Sequence, residues 1–286
     1  MWFYDAAKDV NTPVSILENL VEIEDCRLLL AGNLNVNNEI LTRLADEKLQ
    51  YQDKKFQRNV LWKVLEHPNA SGELIRQILG WTKGVFDKPL NEVTDKFSED
   101  SIKFGMPIIA SGNPNTPIDI LQGFLDSDDK RFWFSLLPNP ALSLIKLLPY
   151  VERLLSIQFK NDWHDLSRVA ENPNLEIKQL WELHNHSLWY VRDAVARHRN
   201  IDQDLIKKML NDPDQTVRFG AMWNKNLSIS TLEYIANQKY ADISFMPHDE
   251  QMRYFEIFKK ILNQNPNATT SLKAFVSEPN WYRDKV

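Results

Sequence analysis

Short apolar stretches with helical spacing recur along this chain, and polar turns separate them. In one segment Ile177, Leu180 and Trp181 lie three and four residues apart, as on one face of an α-helix. A second stretch follows it, in which Val191 and Val195 are four residues apart. The pattern therefore predicts two short helices between one polar turn and the next.

The turns themselves repeat. The stretch "NPNTPIDIL" at 113–121 has eight counterparts, and the third position, usually Asn, marks each of them. The basic interval between markers is about 26 residues, with insertions. Such a period is typical of an α-solenoid, because each unit has too little apolar surface for a core of its own and stacks on its neighbours. The markers are Asn11, Asn35, Asn69, Asn115, Ala141, Asn174, Asn200, Asn226 and Asn267.

The marker asparagine has a physical role available to it. Its side chain both donates and accepts hydrogen bonds, so it can connect the backbone of one turn to the equivalent turn next to it. We therefore expect the markers to form a structural ladder of turns. The alternative is that Asn is present only because it forms turns easily.

Composition and charge narrow the classes of function. The 286 residues are 43% hydrophobic with a formal net charge of -5, which predicts a folded chain with no global attraction to nucleic acid. Cys26, the single cysteine, excludes an internal disulfide and a multi-cysteine metal site, and its register predicts a core position. No secretory leader or 18-residue uncharged stretch is present, so we expect a cytoplasmic protein without a membrane segment.

One repeat position carries a cation directly after a core residue, at Arg27, Arg192, Arg218 and Lys259. In a solenoid these side chains align along one ridge. They then form either a structural ladder that pairs with acidic groups and covers the core, or a basic track for an acidic peptide or nucleic acid. The sequence leaves both interpretations open.

The stretch "NPNTPIDIL", together with "SLWYVRDAVARHRN" and "DPDQTVRFGAMWNKN", resembles the leucine-rich repeat variant family and, more loosely, HEAT-like repeats. The resemblance implies a right-handed α-solenoid whose role is to hold partners rather than to perform chemistry. Some family members carry an N-terminal cysteine cluster for an iron–sulfur centre. That feature does not carry over, since this chain has one cysteine.

HEAT-like repeats also form the frame of alkylpurine DNA glycosylases, which makes a nucleic-acid-binding protein or such an enzyme the alternative. Against it, residues 168–225 contain nine Lys or Arg and eight Asp or Glu, and no catalytic motif is present. The "HNH" at 184–186 has unsuitable spacing for a metal site. The candidate basic and aromatic patch for nucleic acid is Arg192, Arg197, Arg199, Arg218 and Lys225, with Trp181, Trp189 and Trp223.

We thus expect one all-α domain over residues 1–286, a curved solenoid of about eight or nine irregular two-helix repeats with insertions near 82–101 and 237–252. It is expected to be a non-enzymatic scaffold without metal or cofactor. A protein partner would bind its concave face and the inserted loops, while a monomer and an end-to-end oligomer both stay open. The candidate partner-binding residues are Arg27, Arg192, Arg197, Arg199, Arg218, Lys225, Lys259 and Trp189.

Overall fold

The structure is a computed structural model in which all regular elements of the described residues are helices. The prediction of an all-α chain is confirmed. The chain divides into two compact units, Met1–Ser143 and Leu144–Val286. The described residues are 2–46, 49–51, 54–80, 100–127, 129–156, 163–237, 248–265 and 267–277.

Most of the two predicted insertions lies outside the described residues. Only 100–101 of the first segment is described, and it begins a helix. The second segment is described at 237 and at 248–252, where another helix begins. The expectation that inserted loops contact a partner therefore concerns residues that the structure does not describe.

The first unit alternates helices that pack on one another with helices that flank them. Helices α1, α3, α5, α7 and α9 pack consecutively, and α2, α4, α6 and α8 each pack on the helix that follows. Leu30, Val64, Ala110 and Leu136 are fully buried between the consecutive helices. The helices are α1 (Trp2–Lys8), α2 (Val14–Leu20), α3 (Glu24–Ala31), α4 (Asn38–Leu44), α5 (Lys54–Glu66), α6 (Gly72–Gly80), α7 (Asp100–Gly112), α8 (Ile118–Asp126) and α9 (Lys130–Leu136).

The second unit has the same alternation, with a 3₁₀ helix, Ser167–Glu171, in one of the packed positions. α10, this 3₁₀ helix, α13, α15 and α17 pack consecutively, and Val169, Val195 and Ala221 form part of their core. The helices are α10 (Leu144–Ser156), α11 (Trp163–Leu166), α12 (Ile177–Leu183), α13 (Trp189–Arg197), α14 (Gln203–Met209), α15 (Gln215–Met222), α16 (Ile229–Ala236), α17 (His248–Gln264) and α18 (Thr270–Ser277).

Hydroxyls and prolines begin the flanking helices. The Ser71 hydroxyl accepts the N–H of Leu74 at 3.2 Å, and the Ser228 hydroxyl accepts the N–H of Thr231 at 3.1 Å. Pro117 has φ of -55° at the N-cap of α8, which places the chain for a helix start. Each cap satisfies or removes a backbone donor that a helix N-terminus leaves open.

The first residue of each polar turn, which we call the turn-entry residue, connects successive turns. The Asn113 side chain donates to the carbonyl of His67 at 3.1 Å, and the Asn139 side chain donates to that of Asn113 at 3.0 Å. In the second unit Asn224 donates in the same way to His198 at 3.1 Å. Each of these side chains also accepts the backbone N–H two residues ahead. The turn-entry residues thus form a ladder of buried hydrogen bonds within each unit.

Histidine performs the same two tasks at two of these positions. His67 contacts the carbonyl of Asn33 at 3.0 Å through Nε2, while its Nδ1 accepts the N–H of Asn69. His198 contacts the carbonyl of Asn172 at 2.8 Å through Nε2, and its Nδ1 accepts the N–H of Asn200. Because Nδ1 is an acceptor, Nε2 carries the proton and the ring is neutral.

The marker asparagines form a second set of bonds beside the first. Asn69 donates to the carbonyl of Val36 at 2.8 Å, Asn115 to that of Ala70 at 3.0 Å. Asn11 differs, since its side chain bonds to Asp9 within its own turn. The backbone N–H of Asn174 donates to Asn172 Oδ1. The remaining markers donate to a carbonyl of the preceding turn: Asn35 to Thr12, Asn200 to Pro173 and Leu175, Asn226 to Arg199 and Asn267 to Leu227.

Replacing a turn-entry residue tests the ladder. We expect Asn224→Ala to lower the free energy of unfolding by about 2 kcal/mol, because buried backbone groups lose their side-chain partner. Asn237→Ala is the control, since the exposed Asn237 side chain donates to the Glu233 carbonyl at the end of its own helix. Urea denaturation measures both variants, and equal losses would contradict the ladder's role.

Burial of His198 predicts a pH dependence. Burial lowers the pKa of His198; its bond to the Asn172 carbonyl opposes this effect and nearby Arg199 adds to it. The unfolded state therefore binds more protons, so the stabilisation is complete above about pH 6.5 and is lost as the pH falls below it. His198→Asn keeps a donor and an acceptor but does not titrate, and we expect a shallower loss of melting temperature between neutral and acidic pH. An unchanged pH profile would contradict this assignment.

Candidate binding site

Three of the four ridge cations bind backbone carbonyls. Arg27 Nε donates to the carbonyl of Val21 at 2.9 Å, and Arg218 Nη1 donates to that of Asp212 at 2.5 Å. Arg192 Nη1 likewise donates to the His186 carbonyl at 2.8 Å. In each case the acceptor lies six residues before the arginine, at the turn between a flanking helix and the next packed helix.

These arginines do not form an exposed track. Arg27 and Arg218 are only 6% and 2% exposed. The Arg192 side chain is 12% exposed, and its Nε and Nη2 donate to the two carboxylate oxygens of Asp212 at 2.7 and 2.9 Å. Their guanidinium groups are engaged inside the protein, which favours the structural ladder over the partner-binding track that the sequence left open for them. Lys259 is half-buried on α17.

The other candidates lie on a different surface. Trp189, Arg197 and Arg199 line one cavity of about 530 Å³, next to Glu171 and Asp193. A second cavity of about 490 Å³ is lined by Arg197, Phe219, Trp223 and Arg253. Arg197 lines both, so the two cavities adjoin, and together they are called the tryptophan groove below.

Packed helices of the second unit supply the groove. Trp189 begins α13 and Arg197 ends it, while Trp223 directly follows α15 and Arg253 lies on α17. Trp189 and Trp223 are 45% and 46% exposed. Exposed tryptophans therefore lie at the start of α13 and directly after the end of α15, and the ladders hold the turns that begin and end these helices.

Two carboxylates in the groove already face arginines. Asp193 accepts Nε of Arg197 on both oxygens at 2.9 Å, and Glu171 accepts from Arg168. Burial raises the pKa of Glu171, and Asp193 adds to the effect while Arg168 opposes it. Gly220 on α15 lies against the first pair, where a Cβ atom would be 2.3 Å from Asp193 Oδ1.

Three cations near the groove form no ion pair with any described residue. Arg199 makes a long hydrogen bond of 3.4 Å to the Pro173 carbonyl, and the Arg253 guanidinium lies 5.9 Å from the centre of the Phe219 ring. Lys225 is exposed two residues after Trp223. The sequence had marked Arg199, Lys225 and Trp223 as candidates, whereas Arg253 was not among them.

The other chemical candidates have internal roles. Cys26 is fully buried, and burial raises the pKa of its thiol. His186 of the "HNH" stretch contacts the Leu154 carbonyl through Nε2 and accepts the N–H of Leu188 on Nδ1. Trp181 donates from its ring N–H to Asp202. Within the described ranges, His, Cys, Asp and Glu form no group of three or more that would hold a metal ion.

None of the described helices combines the length and the apolar character that a bilayer crossing requires.

Comparison with known proteins gives no assignment. No family model matches the chain, and no curated protein matches it. One solved structure, an engineered protein from a structural genomics consortium, is 12% identical to it. That match covers 96% of this chain and 92% of the other, with a TM-score of 0.35. A TM-score this low does not establish a shared fold. The leucine-rich repeat variant resemblance therefore stays an expectation from sequence.

Removing a buried ridge arginine tests its structural role. We expect Arg218→Met to lower the free energy of unfolding by about 2 kcal/mol, because the Asp212 carbonyl loses a charged donor while the apolar stem remains. Lys225→Met is the exposed control and should change stability by a few tenths of a kcal/mol. Urea denaturation distinguishes them. A fully stable Arg218→Met that had lost partner binding would restore the basic-track interpretation.

Proposed function

We propose that the protein is a non-enzymatic α-solenoid scaffold that binds a protein partner through the tryptophan groove. The alternating packed and flanking helices and the bonded turns support the solenoid arrangement. The resemblance to leucine-rich repeat variants also favours a role in holding partners.

The observation that carries this proposal is the pair of exposed tryptophans, Trp189 and Trp223, in adjoining cavities that share Arg197. Tryptophan and arginine are the residues that most often dominate the binding energy of protein interfaces. The groove is preformed, since hydrogen-bonded turns hold α13 and α15. Binding of a partner therefore costs this protein little conformational entropy.

The alternative from the sequence, a nucleic-acid-binding protein or a glycosylase-like enzyme, has one favourable observation. The Asp193 and Glu171 carboxylates lie beside Trp189 in a cavity that also contains Arg197 and Arg199. Both carboxylates already face arginines, however, which reduces the positive charge available to phosphate groups. Binding of nucleic acid depends on many such phosphate contacts. The groove therefore favours a protein partner.

Affinity capture with groove variants tests the proposal. The tagged full chain and a Trp189→Ala/Trp223→Ala variant are used to capture partners from the native lysate, with half of each sample treated with nuclease. We expect the wild type to retain a protein after nuclease treatment, and the variant to retain at least about tenfold less of that protein. Trp2→Ala, which alters an exposed tryptophan in the first unit, is the matched control.

Two results would contradict the proposal. The first is a captured protein that the double variant retains in full, since the groove would then not be the binding surface. The second is capture dominated by nucleic acid and abolished by nuclease, which would favour the alternative function.

A further inference from the structure

We propose that the tryptophan groove binds an extended protein segment in which an Asp or Glu side chain lies between two large apolar or aromatic side chains. This inference rests on the proposed function, because it names the chemistry of the partner that the groove accepts. It is carried by the end of the Arg197 guanidinium group, which has no partner among the described residues, and by the aromatic side chains on either side of it.

Arg197 is held on one edge only. Its Nε donates to both carboxylate oxygens of Asp193 at 2.9 Å, whereas its two Nη groups make no hydrogen bond or ion pair with any described residue. The terminal edge of a guanidinium presents two parallel N–H donors that match the two oxygens of a carboxylate. Since Asp193 fixes the Nε edge, the Nη edge is a preformed fork for a second carboxylate.

Gly220 supports this fork from the neighbouring helix. A Cβ atom at this position would lie 2.3 Å from Asp193 Oδ1 and 3.3 Å from Arg197 Nε, which is too close for the pair to stay in place. The missing side chain therefore lets α15 lie directly against the Asp193–Arg197 pair. The position of the fork therefore depends on Gly220, a residue outside the fork itself.

Aromatic side chains lie on both sides of the fork. Trp189 lies in one cavity and Trp223 and Phe219 in the other, while Arg197 lines both. A segment that follows the groove thus meets a tryptophan, then the guanidinium, then a second aromatic surface. This order selects an acidic residue between two apolar ones.

The remaining charge of the groove also selects an acidic segment. Arg199 adds a cation to the first cavity and Arg253 adds one to the second, and neither forms an ion pair among the described residues, whereas Glu171 and Asp193 each already face an arginine. A basic segment would meet these cations and lose affinity.

Fluorescence anisotropy with defined peptides tests the inference on the full chain. The probes are labelled decapeptides with a central Glu and with Trp or Leu two or three residues to each side, the same peptides with Gln, and a labelled single-stranded DNA. We expect the Glu peptides to bind at least about tenfold more tightly than the Gln peptides and the DNA. Arg197→Gln should remove this preference for Glu.

Gly220→Ala and Arg76→Gln complete the design. Gly220→Ala keeps every atom of the fork but displaces Asp193, so it should weaken the Glu peptides several-fold more than the Gln peptides. Arg76→Gln removes another exposed arginine–aspartate pair, with Asp119 in the first unit, and should leave all affinities unchanged. Circular dichroism of each variant shows that a lost preference is not a loss of fold.

Several outcomes would overturn the inference. Equal affinity for Glu and Gln peptides, a Glu preference that survives Arg197→Gln, or no binding by any Glu peptide would each contradict it. In those cases a lysate partner that still requires Trp189 and Trp223 would leave the proposed function standing. DNA binding tighter than that of every Glu peptide would contradict both proposals.

Discussion

Backbone groups at the ends of many short helices set the main constraint on this fold. Each helix end leaves N–H or C=O groups without an intrahelical partner, and helices of seven to nine residues end often. The turn-entry side chain satisfies such backbone groups with one donor and one acceptor. Asn113 and His67 share that combination, which explains why histidine stands where asparagine is otherwise found. A purely apolar side chain at this buried position would leave both backbone groups unsatisfied.

The same constraint accounts for the buried arginines. At the turn between a flanking and a packed helix, the open group is a carbonyl, and a long side chain with several donors reaches it from six residues further along the chain. Arg192 satisfies the His186 carbonyl and also pairs with Asp212 of the following turn. Burial of this guanidinium is tolerable because each edge has an acceptor. The cations therefore stabilise the turns. These turns hold the helix ends at which Trp189 and Trp223 lie.

Sequence alone indicates the helical class and the turns, because these depend on local spacing and on the residue at one position. It marks the arginine ridge but not its burial, since a long cationic side chain can either cover the core or extend into solvent. The groove is harder to predict, because Trp189, Phe219 and Arg253 come from three helices and line adjoining cavities only through packing. Gly220 gives no signal in the sequence, as its role is to leave space for the Asp193–Arg197 pair.

Two arginines on one helix show how structural and binding roles are separated. Arg192 and Arg197 both lie on α13, five residues apart, so their side chains leave the helix about 140° apart around its axis. The first faces Asp212, whose side chain is 4% exposed, and all its edges are used. The second lies in the groove with 49% of its side chain exposed and with one edge held by Asp193. Because the helix is fixed by the buried arginine and the adjoining turns, the exposed one is presented in a constant direction, and a repeat built for stability thereby positions a group for binding.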